Sequence, residues 1–215
     1  YANGSPHLGS AYTTIAADIL SRWNKLQGKK VFFLTGTDEH TKKVVKAAEK
    51  EGKTPKEYTA YITPIFQNAW KKLHIDYDRF IRTSDPDHKK FIEYILNKIY
   101  KKGDIYKGIY EGLYCYECEA YYTEKDVPNK ICPIHKNSLD MLKEDTYFFK
   151  LSKYQKQLLD LYKNNPEFIS PKFRRNEVIN RVRGDLRDLS ISRKNEGWGI
   201  ELPFDKNHTC FVWVD

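Results

Sequence analysis

No stretch of this chain comes near the roughly 18–20 consecutive apolar residues that cross a bilayer, so no membrane-spanning helix is expected. Cysteine is scarce as well: four in 215 residues, three of them clustered. That is no disulfide framework for a chain of this length, and it points to a reducing compartment, cytoplasmic or organellar. Internal repeats and low-complexity tracts are missing, which removes repeat arrays from consideration. The visible start carries no secretory signal, and a cut N-terminus would hide one. The opening loop also lacks the strand that should lead into it, since only Tyr1 and Ala2 precede the turn, and the far end stops within an apolar run, CFVWVD. The expectation is a piece of a longer protein, cut at both ends.

What is present is globular: 40% hydrophobic, 14% aromatic and 31% charged, enough for one sizeable core with a small insert. The net charge of +8 favours polyanions such as nucleic acid or nucleotide phosphates. Lysine pairs recur along most of the chain, however, so charge alone decides nothing.

The stretch NGSPHLGSAYTT (3–14) joins turn formers to a helix. Asn3, Gly4 and Pro6 favour the turn, and Gly9 leaves bare backbone. Leu8, Tyr12, Ile15, Ile19, Trp23 and Leu26 then fall at helical spacing up to Gly28. A small-residue loop carrying His7 thus feeds a helix N-terminus, where free N–H groups attract phosphate.

Val31–Thr35 reads as a strand apolar on both faces, as in a covered parallel sheet. It places Asp38, Glu39 and His40 just past its C-terminal end, where open α/β sheets bind ligands. Thr54–Pro55–Lys56–Glu57 is a capping box. It opens a helix expected to turn Tyr58, Tyr61, Ile65, Phe66, Ala69, Trp70 and Leu73 inward. A second strand is expected over 79–83 and a helix over about 86–102. This alternation predicts an α/β fold, a doubly wound parallel sheet. Composition shifts at Gly103, so residues 1–103 read as the first half of that domain, 104–150 as an insert and 151–215 as the start of the second half. Further on, 144–152 reads as a strand, 153–163 as a helix, and HTCFVWVD as a last strand.

Within the insert, Cys115-x-x-Cys118 is followed thirteen residues later by Cys132-x-x-His135. Each pair suits one tight knuckle, and three thiolates plus an imidazole complete a tetrahedral zinc site with no position left for water. The zinc is therefore expected to be structural. Cys210, in an apolar strand, reads as an ordinary buried thiol.

PHLGSAYTT, FFLTGTDEH, the CxxC…CxxH insert, DLSISR and FVWVD, in that order and over nearly the whole chain, resemble the methionyl-tRNA synthetases, a family of class I aminoacyl-tRNA synthetases. The resemblance implies a Rossmann-like catalytic domain with a zinc-knuckle connective insert. It also implies an activity: methionine and ATP give methionyl-adenylate, which is passed to tRNA(Met), with Mg2+ accompanying ATP. His7-Leu8-Gly9-Ser10 matches the His-Ile-Gly-His signature. His7 would meet the ATP phosphates and Gly9 would let the nucleotide lie against the backbone. Ser10 stands where a second histidine is usual, one donor shorter. Asp38 would hold the methionine ammonium, Arg193 the carboxylate and phosphates, and Tyr1 and Trp213 would enclose the thioether. Thr41 replaces the glycine usual after the Asp-Glu-His run. Such chains continue into a Lys-Met-Ser-Lys-Ser loop and an anticodon-binding domain, so these residues alone are expected to be inactive. Two alternatives stay open: a basic, zinc-containing RNA-binding module without catalysis, and a related class I synthetase for another amino acid.

Overall fold

The opening loop does turn into a helix, α1 (Leu8–Leu26), and His7 is its cap: the Gly9 N–H donates to His7 Nδ1 at 3.1 Å. This computed structural model describes residues 1–118, 120–122 and 127–215. The chain divides into two units, one of Tyr1–Ile95, Asn195–Pro203 and Val212–Asp215, the other of Leu96–Lys194 and Phe204–Phe211.

In the first unit, strands β1 (Leu34–Thr37) and β2 (Arg79–Arg82) pair in parallel, Leu34 opposite Arg79 and Thr37 opposite Arg82. Two helices cross between them, α2 (Lys42–Lys50), capped by Thr41, and α3 (Pro55–Lys72), started by the Thr54/Glu57 capping box. This is the parallel α/β arrangement that the alternation of elements predicts. Strand β1 begins three residues later than expected, because pairing starts only at Arg79 while the Asp78 carboxylate takes the Phe33 N–H at 2.6 Å. Neither is it covered on both faces: Phe33 is buried, but Phe32 and Leu34 are exposed. Gly36 is required by close approach, since a Cβ there would lie 1.9 Å from the Ile81 carbonyl oxygen.

The core of this unit is Ala2, Phe33, Val44, Ala48, Ile75 and the α3 line Tyr58–Ile62–Phe66–Trp70. That line has a strict four-residue step, so Tyr61 and Leu73, expected inward, fall off it and are exposed. On α1 the apolar residues named above all face outward, while Asp18 and Ser21 are buried. Asp18 explains its own burial by accepting from the Asp76 N–H at 2.9 Å and from Arg22 Nε at 2.7 Å. Helix α4 (Pro86–Lys101) begins in this unit.

The second unit is built on antiparallel strands β3 (Ile105–Cys115), β4 (Ala120–Tyr122), β5 (Asp140–Phe149) and β6 (Leu189–Ser190), in the order β4-β3-β5-β6. Strand β5 starts four residues earlier than expected because its full register with β3 runs from Asp140. Helices α5 (Gln155–Asn164) and α6 (Arg175–Arg183) follow. Asp104 is fully buried beside β3, where Lys153 and Tyr154 both donate to its carboxylate. Strand β7 (Ser192–Lys194) pairs with the later strand Asp205–Cys210, Ser192 opposite Cys210. The closing apolar run departs from expectation, because pairing ends at Cys210 and Val212–Val214 form a turn that returns to the first unit.

Candidate functional site

The N-terminal loop, the end of β1 and the start of α1 meet around a cavity of about 290 Å³ in the first unit. Its lining includes Tyr1, Ser10, Thr14, Gly36, Asp38 and Trp70. The backbone makes this meeting possible: the Ala2 N–H donates to the Asp38 carbonyl at 2.9 Å, fastening the entry segment to the residue that follows β1.

His7 is exposed at the head of α1. Because its Nδ1 accepts from Gly9, the neutral ring carries its proton on Nε2, a donor available for a ligand. Gly9 matters to that pose. A Cβ there would approach His7 Cε1 to 3.0 Å and push the ring off the helix end. Ser10 carries its carbonyl in hydrogen bonds from the Thr13 and Thr14 hydroxyls, at 3.2 and 2.9 Å.

Asp38 has one carboxylate oxygen, Oδ1, that is buried and without a hydrogen-bond partner. Burial, and after it the neighbouring Asp215 carboxylate, push its carboxyl up to about 6. A partnerless buried acceptor of this kind is satisfied by a cationic donor. The next residue behaves oppositely. Glu39 is fully buried, yet Arg82 grips it at 2.8 and 3.1 Å, and Ser84, Thr37 and Thr63 donate to it at 2.6, 2.9 and 3.2 Å. Burial alone would raise its carboxyl, but those bonds, Arg82 first, hold it below the usual range. Two adjacent carboxylates are thus divided between an open acceptor and a structural anchor.

Tyr1 and Trp213 face each other edge to face, ring centroids 6.4 Å apart. Trp213 remains 68% exposed, so it is not core. Six of the residues singled out from sequence, namely Tyr1, His7, Gly9, Ser10, Asp38 and Trp213, therefore belong to this one unit. Arg193 belongs to the second. There its guanidinium donates to Ser190 Oγ at 2.8 Å and the Ser192 carbonyl at 2.7 Å, and lies 3.9 Å from the Phe211 ring centre.

Three further residues escaped the sequence reading: Arg82, Trp198 and Asp215. Trp198 Nε1 donates to the Glu39 carbonyl at 2.7 Å, and its ring meets His40 edge on. Asp215 accepts from His40 Nδ1 at 2.7 Å. Trp70 is core as read, but it also lines the cavity with its Nε1 unpartnered.

The second unit gathers Cys115, Cys118, Cys132 and His135 with all four donor atoms within 4.8 Å of one another. Zinc–sulfur bonds of about 2.3 Å place tetrahedral ligands about 3.8 Å apart. The observed Cys118–Cys132 separation is 3.5 Å, and His135 Nδ1 lies 3.2, 3.8 and 3.9 Å from the three sulfurs. The Cys118 and His135 N–H groups point back at Cys115 and Cys132 sulfur, which favours thiolates. These residues fit a zinc ion with four protein ligands.

Against known proteins, a family model described as class I tRNA synthetases (M) matches residues 1–141 and 123–215. The chain is 48% identical over 216 residues to the chloroplastic/mitochondrial methionine–tRNA ligase of Arabidopsis thaliana, covering all of this chain and 35% of that one. It is 50% identical over 217 residues to the methionine–tRNA ligase of Fusobacterium nucleatum, again over the whole chain and 34% of the relative. Among solved structures, Mycobacterium tuberculosis methionyl-tRNA synthetase bound by methionyl-adenylate superposes with a TM-score of 0.91 at 40% identity, over all of this chain and 43% of that one. The chain therefore spans about a third of the length of the curated relatives it matches.

Proposed function

The chain belongs to the class I tRNA synthetase (M) family, and from that premise we propose that it carries the methionine- and ATP-binding part of a methionine–tRNA ligase. The observation that carries the reading is Asp38. Its buried, unpartnered oxygen belongs to a residue that lines a cavity at the N-terminal end of α1, with Tyr1 in the same lining and Trp213 against Tyr1. An apolar amino acid such as methionine has a cation for that oxygen, an apolar side chain for the rings, and a carboxylate to be activated.

In this reading Asp38 receives the methionine ammonium, and Tyr1 and Trp213 enclose the thioether, whose soft sulfur packs well on ring edges. The methionine carboxylate attacks the α-phosphorus of ATP, the bond to the bridging oxygen breaks, and pyrophosphate leaves with that electron pair. His7 Nε2–H donates to a phosphate oxygen as charge grows there, aided by the N-terminal end of α1. Gly9 lets the nucleotide approach the backbone, and Ser10 offers a hydroxyl at the fourth signature position. Arg193 would serve the carboxylate and phosphates. Catalysis then rests on alignment and charge stabilisation, with no covalent step by the protein. Mg2+ accompanying ATP would neutralise part of the phosphate charge. Residues 104–150 would be a connective insert between halves 1–103 and 151–215, kept in shape by zinc on Cys115, Cys118, Cys132 and His135. Transfer to tRNA(Met) completes the proposed activity of the whole protein. Thiolate ligands suit the reducing cytoplasm, and an organellar form has a counterpart in the Arabidopsis relative. No described helix is long and apolar enough to cross a membrane.

The test is ATP–pyrophosphate exchange by the full-length protein against all twenty amino acids. Exchange with methionine alone, reduced at least about 100-fold by Asp38→Ala, is expected. Exchange driven by another amino acid would discard the assignment of the pocket. A folded, zinc-loaded protein with no exchange at all would overturn the reading in favour of an RNA-binding module.

A further inference from the structure

Beside the cavity, His40 and Asp215 form a buried pair that the proposed chemistry does not use. Their side chains are each 1% exposed and meet through Nδ1 and Oδ2 at 2.7 Å. The second atom of each, His40 Nε2 and Asp215 Oδ1, is buried without a hydrogen-bond partner. Burying two such groups is costly and adds little to stability by itself. What the pair does accomplish is topological, for it ties together segments 175 residues apart in sequence.

One of those segments is rigid. His40 follows Glu39, whose carboxylate is fixed by Arg82, Ser84, Thr37 and Thr63, and whose carbonyl accepts from Trp198. Trp198 also braces the His40 ring, with centroids 5.4 Å apart. Asp38 sits at the head of this run. The other segment is a turn, Val212–Val214, that no strand holds. It carries Trp213, which is mostly exposed. Val212 is buried and Asp215 is bonded to His40, so the turn is anchored on both sides of Trp213.

We propose that His40 and Asp215 are positioning residues for the methionine site, a latch that sets the span between the Asp38 carboxylate and the Trp213 wall. The inference rests on the proposed function of that site. Neither residue touches the reacting atoms. The latch matters because an apolar pocket discriminates close analogues by only about 10- to 200-fold per methylene. Selectivity for a thioether of one length then depends on how firmly the two ends of the pocket are held apart.

The experiment uses the full-length protein in ATP–pyrophosphate exchange, with methionine, its one-carbon-longer analogue ethionine, and ATP each varied. Asp215→Ala is expected to raise the methionine KM by about tenfold or more while the ATP KM stays within about twofold. Asp215→Asn retains an oxygen that accepts from His40 Nδ1–H, and is expected to recover most of the loss. Asp215→Glu keeps the bond but displaces the turn by a methylene, and is expected to erode the preference for methionine over ethionine. This variant also carries the test if the alanine variant does not fold. Lys42→Ala, which removes an exposed pair with Glu196, is the control expected to change nothing. Equal rises in both KM values for Asp215→Ala, or unaltered ethionine discrimination in Asp215→Glu, would overturn the latch while methionine-dependent exchange by the unsubstituted protein still upheld the underlying reading. Absence of that exchange from the unsubstituted protein would overturn both.

Discussion

In its proposed role, Asp38 trades stability for binding. Burial and Asp215 raise its carboxyl from 3.8 to about 6. In an unfolded chain the group ionises lower, so between those values the folded state holds more protons. Stability from this group is therefore fully present below pH 3.8 and falls as pH rises through 6. Asp38→Asn should accordingly raise the melting temperature of the ligand-free protein at pH 7.5, by a free energy on the order of 1 kcal/mol after discounting for partial solvent screening. The gain should shrink to a small fraction by about pH 4, where the folded aspartate is protonated and the unfolded one is only about half ionised. The same variant should lose methionine binding, since an amide cannot pair with an ammonium as a carboxylate does. Melting curves at the two pH values check the sign, and a stabilisation that persists unchanged at pH 4 would rule out a buried charge as its cause. At this scale the sequence is legible where chemistry is local. His7, Gly9 and Asp38 each sit in a short motif whose neighbours explain them. Arg82, Trp198 and Asp215 do not, because the groups they serve lie 43, 159 and 175 residues away.

Among the elements, the clearest dependence is that of β1 on β2. Gly36 allows the two strands their close approach, and Arg82 at the end of β2 neutralises Glu39 just past β1. Removing the guanidinium leaves a fully buried carboxylate without its cation. Arg82→Met should thus cost about 3 kcal/mol, the lower part of the range for breaking a buried pair, because the Arg82 side chain is 27% exposed. Adding Glu39→Gln to that variant should recover part of the loss, as the stranded charge is gone. Hydrogen exchange of β1 and β2 amides in the full-length protein measures both. If the double variant is as unstable as the single one, the loss comes from packing and not from charge. Helix α1 marks the limit of periodicity at this scale. The spacing from Leu8 to Leu26 gives the helix correctly, and the same residues are exposed while Asp18 and Ser21 are buried. Spacing reports that a face is apolar; which face is covered depends on what lies beside it. The last strand erred for a related reason, since the apolar run CFVWVD reads as β-rich, but its partner residues in β7 end at Ser192, opposite Cys210.

For the molecule as a whole, the order of motifs identified the family without any knowledge of the coordinates, because each motif is short and their sequence along the chain is itself information. The division into two units was not legible in the same way. Residues 195–203 and 212–215 return to the first unit after excursions over 96–194 and 204–211, and no local composition marks such a return. The two units also differ in what holds them. The first has an extended core running from Ala2 to Ile75. Among the described residues, the cluster around the cysteines has Leu113, Cys115, Val127, Cys132 and Leu139 buried, and two of these five belong to the candidate metal cluster. We predict that zinc on this cluster supplies folding free energy that so small a core lacks. Stripping zinc with a strong chelator should therefore abolish amide protection across residues 113–118 and 127–139, while β1, α2 and α3 keep theirs. Cys118→Ser should reproduce the effect and lower the zinc content measured by atomic absorption. Should the serine variant hold as much zinc as the unsubstituted protein, or should chelation loosen α3 as much as β3, the cluster is not the metal-dependent staple that its geometry indicates. The contrast matters for function, because the residues proposed to hold the methionine ammonium and thioether, Asp38, Tyr1 and Trp213, lie in the first unit, whereas Arg193 lies in the second.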